Sequence, residues 1–357
     1  MDTSHTRSTT RRSFARLGAG AIAAGTVPGA SLLGSGTANA QAADTAGGVV
    51  GSRTVSVRRV STVAQAIVEQ DIFLVRADGT PLAAPAADRI RVSDTEFKGS
   101  KIVTRVLSCE PVALPPRSRP GSVYLLIEQT RRLAQTDPRD QRLAAAKAFM
   151  ATLPATTRFR IGGFSPVPTA LRPTTPTTTL GSGFASASES ALLIDRLAGD
   201  LSGDTLPLYD GVRGALRAMA SAPTPDRAMV VLSNGAVSSG DMSISRARRD
   251  AMSAAIPTYH IGLATPGSGS DSCTLNDISV PTGGGFIQVS QAASLVPASV
   301  GMAKAILGQA LVARVRLEVT VSNADNGDGS WSHFLRIDSP AGQVIVRFHG
   351  IFRPTAH

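Results

Sequence analysis

The chain has 357 residues, 42% of them hydrophobic but only 4% aromatic, and a formal charge of +10. That length and apolar content suit one medium globular domain with a smaller companion, which excludes a fibrous or wholly disordered chain. The positive charge is scattered and carried by arginine more than lysine, and with so few aromatic rings to stack on bases it argues against nucleic acid.

In chain order, the first feature is "TRRSFAR", holding Arg11 and Arg12, followed by an uncharged run that closes on Ala38, Asn39 and Ala40. This is the pattern of a twin-arginine signal peptide over residues 1–40, cut after Ala40. Its removal takes away four arginines and one aspartate and leaves a charge of +7. The run is rich in Gly and Ala and broken by Pro28, too weakly apolar for a permanent anchor. No later run of about 18 apolar residues follows, so a periplasmic or secreted chain without a membrane span is expected. Such a precursor has the twin-arginine export machinery as a partner. In that oxidising setting Cys109 and Cys273 are a candidate disulfide, but pairing depends on a Cα separation that sequence does not supply.

Residues 41–53 read as a flexible lead. From 54 to 112 short alternating segments ("TVSVRRV", "QDIFLVR", "RIRVSD", "KIVTRVL") surround turn chemistry at Asp78, Gly79 and Pro81. Period-two patterning at this spacing predicts a small antiparallel β unit, similar to an incomplete immunoglobulin-like sandwich. Residues 113–120 read as a proline-rich linker.

From Gly121 the rhythm alternates between strand and helix. "VYLLIE", "RFRIGGFS", "RAMVVLSNG", "PTYHIGLA" and "GFIQVS" read as strands. "DQRLAAAKAFMATLP", with Asp140 in N-cap position, reads as a helix, as do "ESALLIDRLAGDL", "LYDGVRGALRAMASA", "ISRARRDAMSAA" and "SLVPASVGMAKAILGQAL". The alternation predicts an α/β fold, a doubly wound and mostly parallel sheet with helices on both faces, whose ligands sit beyond the carboxyl ends of the strands. Ser182–Ser190 and Thr265–Cys273, small and polar, are the loops expected near that end. Residues 313–357 carry further strand patterns that could join the first β unit, and their Asp325–Gly329 tract reads as a hairpin turn rather than a calcium loop.

Taken together, "VYLLIEQTRR", "DTLPLYDGVRGAL", "RAMVVLSNG", "YHIGLA" and "TGGGFIQVS", in that order, resemble a von Willebrand factor A (vWA) domain over residues 121–312. The resemblance implies a metal-ion-dependent adhesion site in which a DxSxS loop, a threonine and an aspartate hold Mg²⁺ for a partner's carboxylate. Such a site needs hard oxygen ligands around an octahedral ion. Here Glu128 stands at the Asp position, Thr130 at the first Ser and Arg132 at the second. Thr205 is the candidate threonine, with Leu206 an alternative occupant, and Asn234 replaces the aspartate. A guanidinium has no acceptor and is not deprotonated in proteins, so Arg132 is expected to repel a cation and pair with Glu128 in its place.

Three functions stay open on these residues. The first is an exported, non-enzymatic interaction domain that binds a protein or envelope component without metal. The second retains Mg²⁺ on Glu128, Thr130 and Thr205. The third is a secreted hydrolase, for which Ser165 and His260 are the residues to test, although no G-x-S-x-G elbow is present.

Overall fold

The computed structural model describes residues 45–60, 63–76, 80–95, 101–113, 119–235, 244–263, 278–279, 281–309, 311–322, 329–339 and 342–352. The leader residues Arg11, Arg12, Ala38 and Ala40, together with Cys273, the Thr265–Cys273 segment and the Asp325–Asp328 part of the acidic tract, lie outside them.

Five parallel strands form the centre of the sheet: β5 (Ser122–Glu128), β6 (Arg158–Phe164), β8 (Arg227–Ser233), β9 (Thr258–Leu263) and β10 (Gly285–Val289). They stand in the order β6-β5-β8-β9-β10, with β7 (Thr177–Ala185) antiparallel at the β6 edge. Every residue of β5 and β9 is buried, as expected of strands covered on both faces. On one face pack α2 (Gln141–Thr152), α3 (Ala187–Asp195) and α6 (Leu295–Ile306), burying Leu143, Phe149, Ile194 and Met302. On the other lie α4 (Leu208–Ala218) and α5 (Ile244–Ser253), burying Val212, Ala215, Ala247 and Ala251. A four-residue helix, α1 (Leu133–Thr136), bridges β5 to α2. This is the doubly wound, mostly parallel α/β fold predicted from the alternation.

The N-terminal strands depart from expectation. β1 spans Thr45–Val60, so residues 45–53 are strand rather than a flexible lead. Nor does the segment form a separate unit ahead of the α/β part. β1 pairs antiparallel with β10 through Gly48↔Ile287 and Val49↔Phe286, and β2 (Val63–Arg76), β11 (Leu311–Ser322) and β4 (Lys101–Ala113) continue the same sheet to ten strands. A register shift between Val49 and Gly51 marks where β1 leaves β10 and goes on with β2 alone, the usual work of a β-bulge. β4 also reaches Ala113, inside the predicted linker.

A second sheet, β13-β12-β3, comprises β3 (Ile90–Thr95), β12 (Gly329–Ser339) and β13 (Gly342–Phe352). Ile90 and Ile337 from this sheet join Val49, Val68, Ile72, Val315 and Leu317 in one apolar layer, which makes the β-sandwich and draws both C-terminal and N-terminal strands into it. Helix α6 closes over β2 at Gly301, where a Cβ would stand 2.6 Å from Val75 Cγ1, so only glycine allows that approach. Among the described residues no helix is long and apolar enough to cross a membrane.

Candidate functional site

The carboxyl end of β5 is where an apolar strand stops at Glu128, Gln129 and Thr130, and all three are fully buried. Backbone bonds hold the segment between two loops. Gln129 donates to Phe164 O at 2.9 Å, Ser202 N donates to Gln129 O at 2.9 Å, and Arg131 N donates to Gly203 O at 2.8 Å. Asn234, one residue past β8, is buried as well.

Glu128 is satisfied from two sides. The Thr130 hydroxyl bonds to its Oε1, and the backbone N–H of Asn234 donates to Oε2 at 2.7 Å. Burial raises the pKa of this carboxyl above its ordinary value, opposed by the bonds from Thr130 and Asn234 and then by the charges of Arg142 and Arg132.

The expected Arg132 pair is not formed. No ion pair joins Arg132 to Glu128, and Arg132 sits half-buried at the start of α1, acting on Glu128 only through its field. The arginine that fastens this end is Arg142. Its Nε donates to the Glu128 carbonyl oxygen at 3.1 Å, Nη1 to Asp137 Oδ2 at 3.0 Å and Asp140 Oδ1 at 2.6 Å, and Nη2 to Gln129 Oε1 at 3.2 Å. One planar fork thus ties strand, loop and helix together, which suits the guanidinium and no other side chain.

Asp140 occupies the N-cap position of α2 in the left-handed region, at φ 53°, but its side chain does not cap. Asp137 does so, accepting from Gln141 N at 2.6 Å and Arg142 N at 3.1 Å. That frees Asp140 for Arg142.

A second buried arginine does similar work next door. Arg172 Nε donates to Asp200 Oδ2 at 2.6 Å and Nη2 to Ser202 Oγ at 3.0 Å, while Nη1 bonds to Ser165 Oγ. It lies over Gly163, where a Cβ would stand 2.6 Å from Arg172 Cδ and 3.5 Å from Gln129 Cγ. The loops after β6 and α3 are therefore locked to each other beside the end of β5.

The remaining predicted positions divide. Thr205 is half-buried and makes no hydrogen bond to Glu128, Thr130 or Asn234, while Leu206 is fully buried in the apolar layer under α4. Glu128, Thr130 and Asn234 are brought together, but face one another and not solvent. These residues do not fit a Mg²⁺ site. Both carboxylate oxygens are already engaged and the group has no exposed surface on which an ion could keep its waters. Among the described residues no three His, Cys, Asp or Glu side chains gather as metal ligands.

The hydrolase candidates do not assemble either. Ser165 is buried and committed to Arg172, Ser202 and Val167 O. His260 is buried in β9, bonds through Nδ1 to Ser279, and has its pKa pulled down to about 3 by burial. Ser182–Ser190 is not an upper loop. It is the end of β7 and the start of α3, closed by a capping box between Ser186 and Glu189, and Ala185 pairs with Phe159 near the amino end of β6. Cys109 is a free, half-buried thiol on β4, its pKa raised to about 11 by burial and then by Glu110.

Neither buried arginine was foreseen. For Arg142 a signal existed: it falls on the same helical face as Ala145, Ala146 and Phe149, a core-facing place for a charge. Arg172, inside "TALRPTTP", carried none.

No family model matches the chain, and no curated protein does. Among solved structures it is similar to the pilus adhesin SpaC of Lactobacillus rhamnosus GG, with 10% identity, TM-score 0.43, and coverage of 85% of this chain and 47% of that one. The chain thus spans about half the length of SpaC. It is also similar to the vWF domain of the type V pili tip protein Mfa5 of Porphyromonas gingivalis, with 11% identity, TM-score 0.40, and 52% and 95% coverage. A third is the manganese-loaded TRAP protein of Plasmodium vivax, with 13% identity, TM-score 0.35, and 71% and 98% coverage.

Proposed function

We propose that the chain is an exported, non-enzymatic interaction protein of the adhesion type, which uses the carboxyl end of its vWA-like sheet to bind a protein or cell-envelope partner without a metal ion. The observation that carries this reading is the closure of Glu128, with one oxygen bonded to Thr130, the other to Asn234 N–H, and no exposed surface. What remains accessible at that end is protein surface, including the exposed Arg131 and Arg139.

Export rests on the twin-arginine pattern at Arg11 and Arg12, and a periplasmic or secreted location follows from it. The lack of catalysis is supported by the separation and burial of Ser165 and His260, which leaves neither open to a substrate. The test is thermal unfolding of the purified chain in Mg²⁺, in Mn²⁺ and in EDTA. The melting temperature is expected to be the same in all three. A rise of several degrees with millimolar metal would overturn the metal-free reading in favour of ligation by Glu128, Thr130 and Thr205.

A further inference from the structure

Beyond the carboxyl ends of β5 and β10, a groove of about 310 Å³ opens between the α1–α2 turn and the start of α6. Its walls are apolar, built from Pro138, Ala293, Val296 and Pro297, with Gln141 and the guanidinium-bearing Arg139 completing it. The size lies at the lower end of ordinary ligand pockets, room for one or two side chains rather than a large cofactor.

Among the described residues lining the groove, Arg139 is the one charged side chain without an ion pair. Asp137 also borders it, but its side chain is fully buried and its carboxylate is spent on Gln141 N, Arg142 N and Arg142 Nη1. Asp140 is paired with Arg142 at 2.6 Å. Among the described residues Arg131, Arg132 and Arg139 have no ion pair. From Glu128 to Arg142 the chain carries four arginines against three carboxylates; Glu128 and Asp137 are buried, and the partly exposed Asp140 is taken up by Arg142. No ionisable side chain lies between Ala292 and Pro297 to offset Arg139 from the other wall.

The geometry points to this groove as the docking site for an acidic segment of a partner protein, an Asp or Glu carboxylate received by Arg139 while the apolar residue beside it lies against Val296 and Pro297. A guanidinium would then do for the partner's carboxylate what an ion does in a metal-dependent site, by a paired and charge-assisted hydrogen bond. The inference rests on the metal-free reading above and adds the partner's chemistry to it.

The experiment is selection of a phage-displayed library of random dodecapeptides on the purified full chain. Affinities of the selected peptides are then measured by fluorescence polarisation with and without EDTA. Selected peptides should be enriched in Asp or Glu next to an apolar residue. Binding should fall at least tenfold in Arg139→Ser and in Val296→Glu, not in Arg217→Ser on α4, with the melting temperatures of the two arginine variants unchanged. EDTA should leave affinity unaltered. Peptides without acidic enrichment, or acidic peptides that bind Arg139→Ser as well as the parent, would overturn the groove assignment while leaving the metal-free reading intact. Acidic peptides that need Mg²⁺ and ignore Arg139→Ser would overturn both. Vesicles of phosphatidylcholine and phosphatidylglycerol serve as the other arm, and Arg139-dependent binding to them without any peptide selection would assign the groove to a lipid surface.

Discussion

Arg142 Nε donates to the backbone carbonyl oxygen of Glu128 at 3.1 Å, so the arginine holds the last residue of β5 by its main chain and leaves the carboxylate to others. The charge of the buried fork is balanced by Asp137 and Asp140 instead. The end of the central strand is thereby fastened to the α1–α2 turn by a guanidinium.

Removing Arg142 should be costly. Its side chain is 3% exposed and that of Asp137 is 0% exposed, so Arg142→Ala leaves a buried carboxylate without its cation. Breaking such a pair by deleting one partner costs about 3–5 kcal/mol. Urea denaturation should report a loss of that size, with reduced protection of the turn from 137 to 141.

Arg132→Ser should do almost nothing. The side chain makes no ion pair with Glu128, so stability should change by about 0.5 kcal/mol or less. Adding Mg²⁺ to this variant should leave its melting temperature unmoved, because Glu128 stays engaged by Thr130 and Asn234.

Glu128→Gln separates burial from charge. The folded pKa of Glu128 is raised from the ordinary value of 4.5, so the folded state binds the extra proton. Its favourable contribution is present below that value and is lost as pH rises through the folded pKa. The variant lacks this titration, so its stability relative to the parent should increase as pH rises above 4.5, measured by urea denaturation at a series of pH values. A constant difference would contradict the burial of the carboxyl.

His260 gives the opposite slope. Its folded pKa lies near 3 against an ordinary 6.5, so the unfolded chain takes up the proton first and stability from this group is lost as pH falls from 6.5 towards 3. The loss should approach about 1.4 kcal/mol per pH unit within that window. The imidazole resonances should show no titration between pH 8 and 5.

Gly163→Ala probes the second arginine. The new methyl would meet Arg172 Cδ at 2.6 Å and press it away from Asp200 and Ser202. Overpacking of this kind costs about 1–3 kcal/mol, read by the shift of the urea midpoint.

The parallel centre was legible because β5, β8 and β9 are continuous apolar runs of strand length, bounded by turn residues and separated by amphipathic helices. β1 was not, because "TAGGVVGS" has the glycine content of a linker, and only pairing with β2 and β10 makes it a strand. β7 failed for the same reason, since "TTTLGSGFA" gains its order from β6. At the site, the resemblance to a vWA domain singled out Glu128, Thr130 and Asn234, which the hydrogen bonds bring together. Which arginine lay beneath them did not, because Arg132 is near Glu128 in sequence while Arg142 reaches it through the turn of α2 back onto the strand.

The most direct test of the closed, metal-free strand end is amide hydrogen exchange at Asn234, whose N–H donates to Glu128 Oε2 at 2.7 Å. Closure predicts strong protection, approaching that of the core strands, and the same exchange rate in EDTA and in excess Mg²⁺. Fast exchange at Asn234, or a rate that changes when Mg²⁺ is added, would mean that Glu128 opens to an ion and would contradict the account.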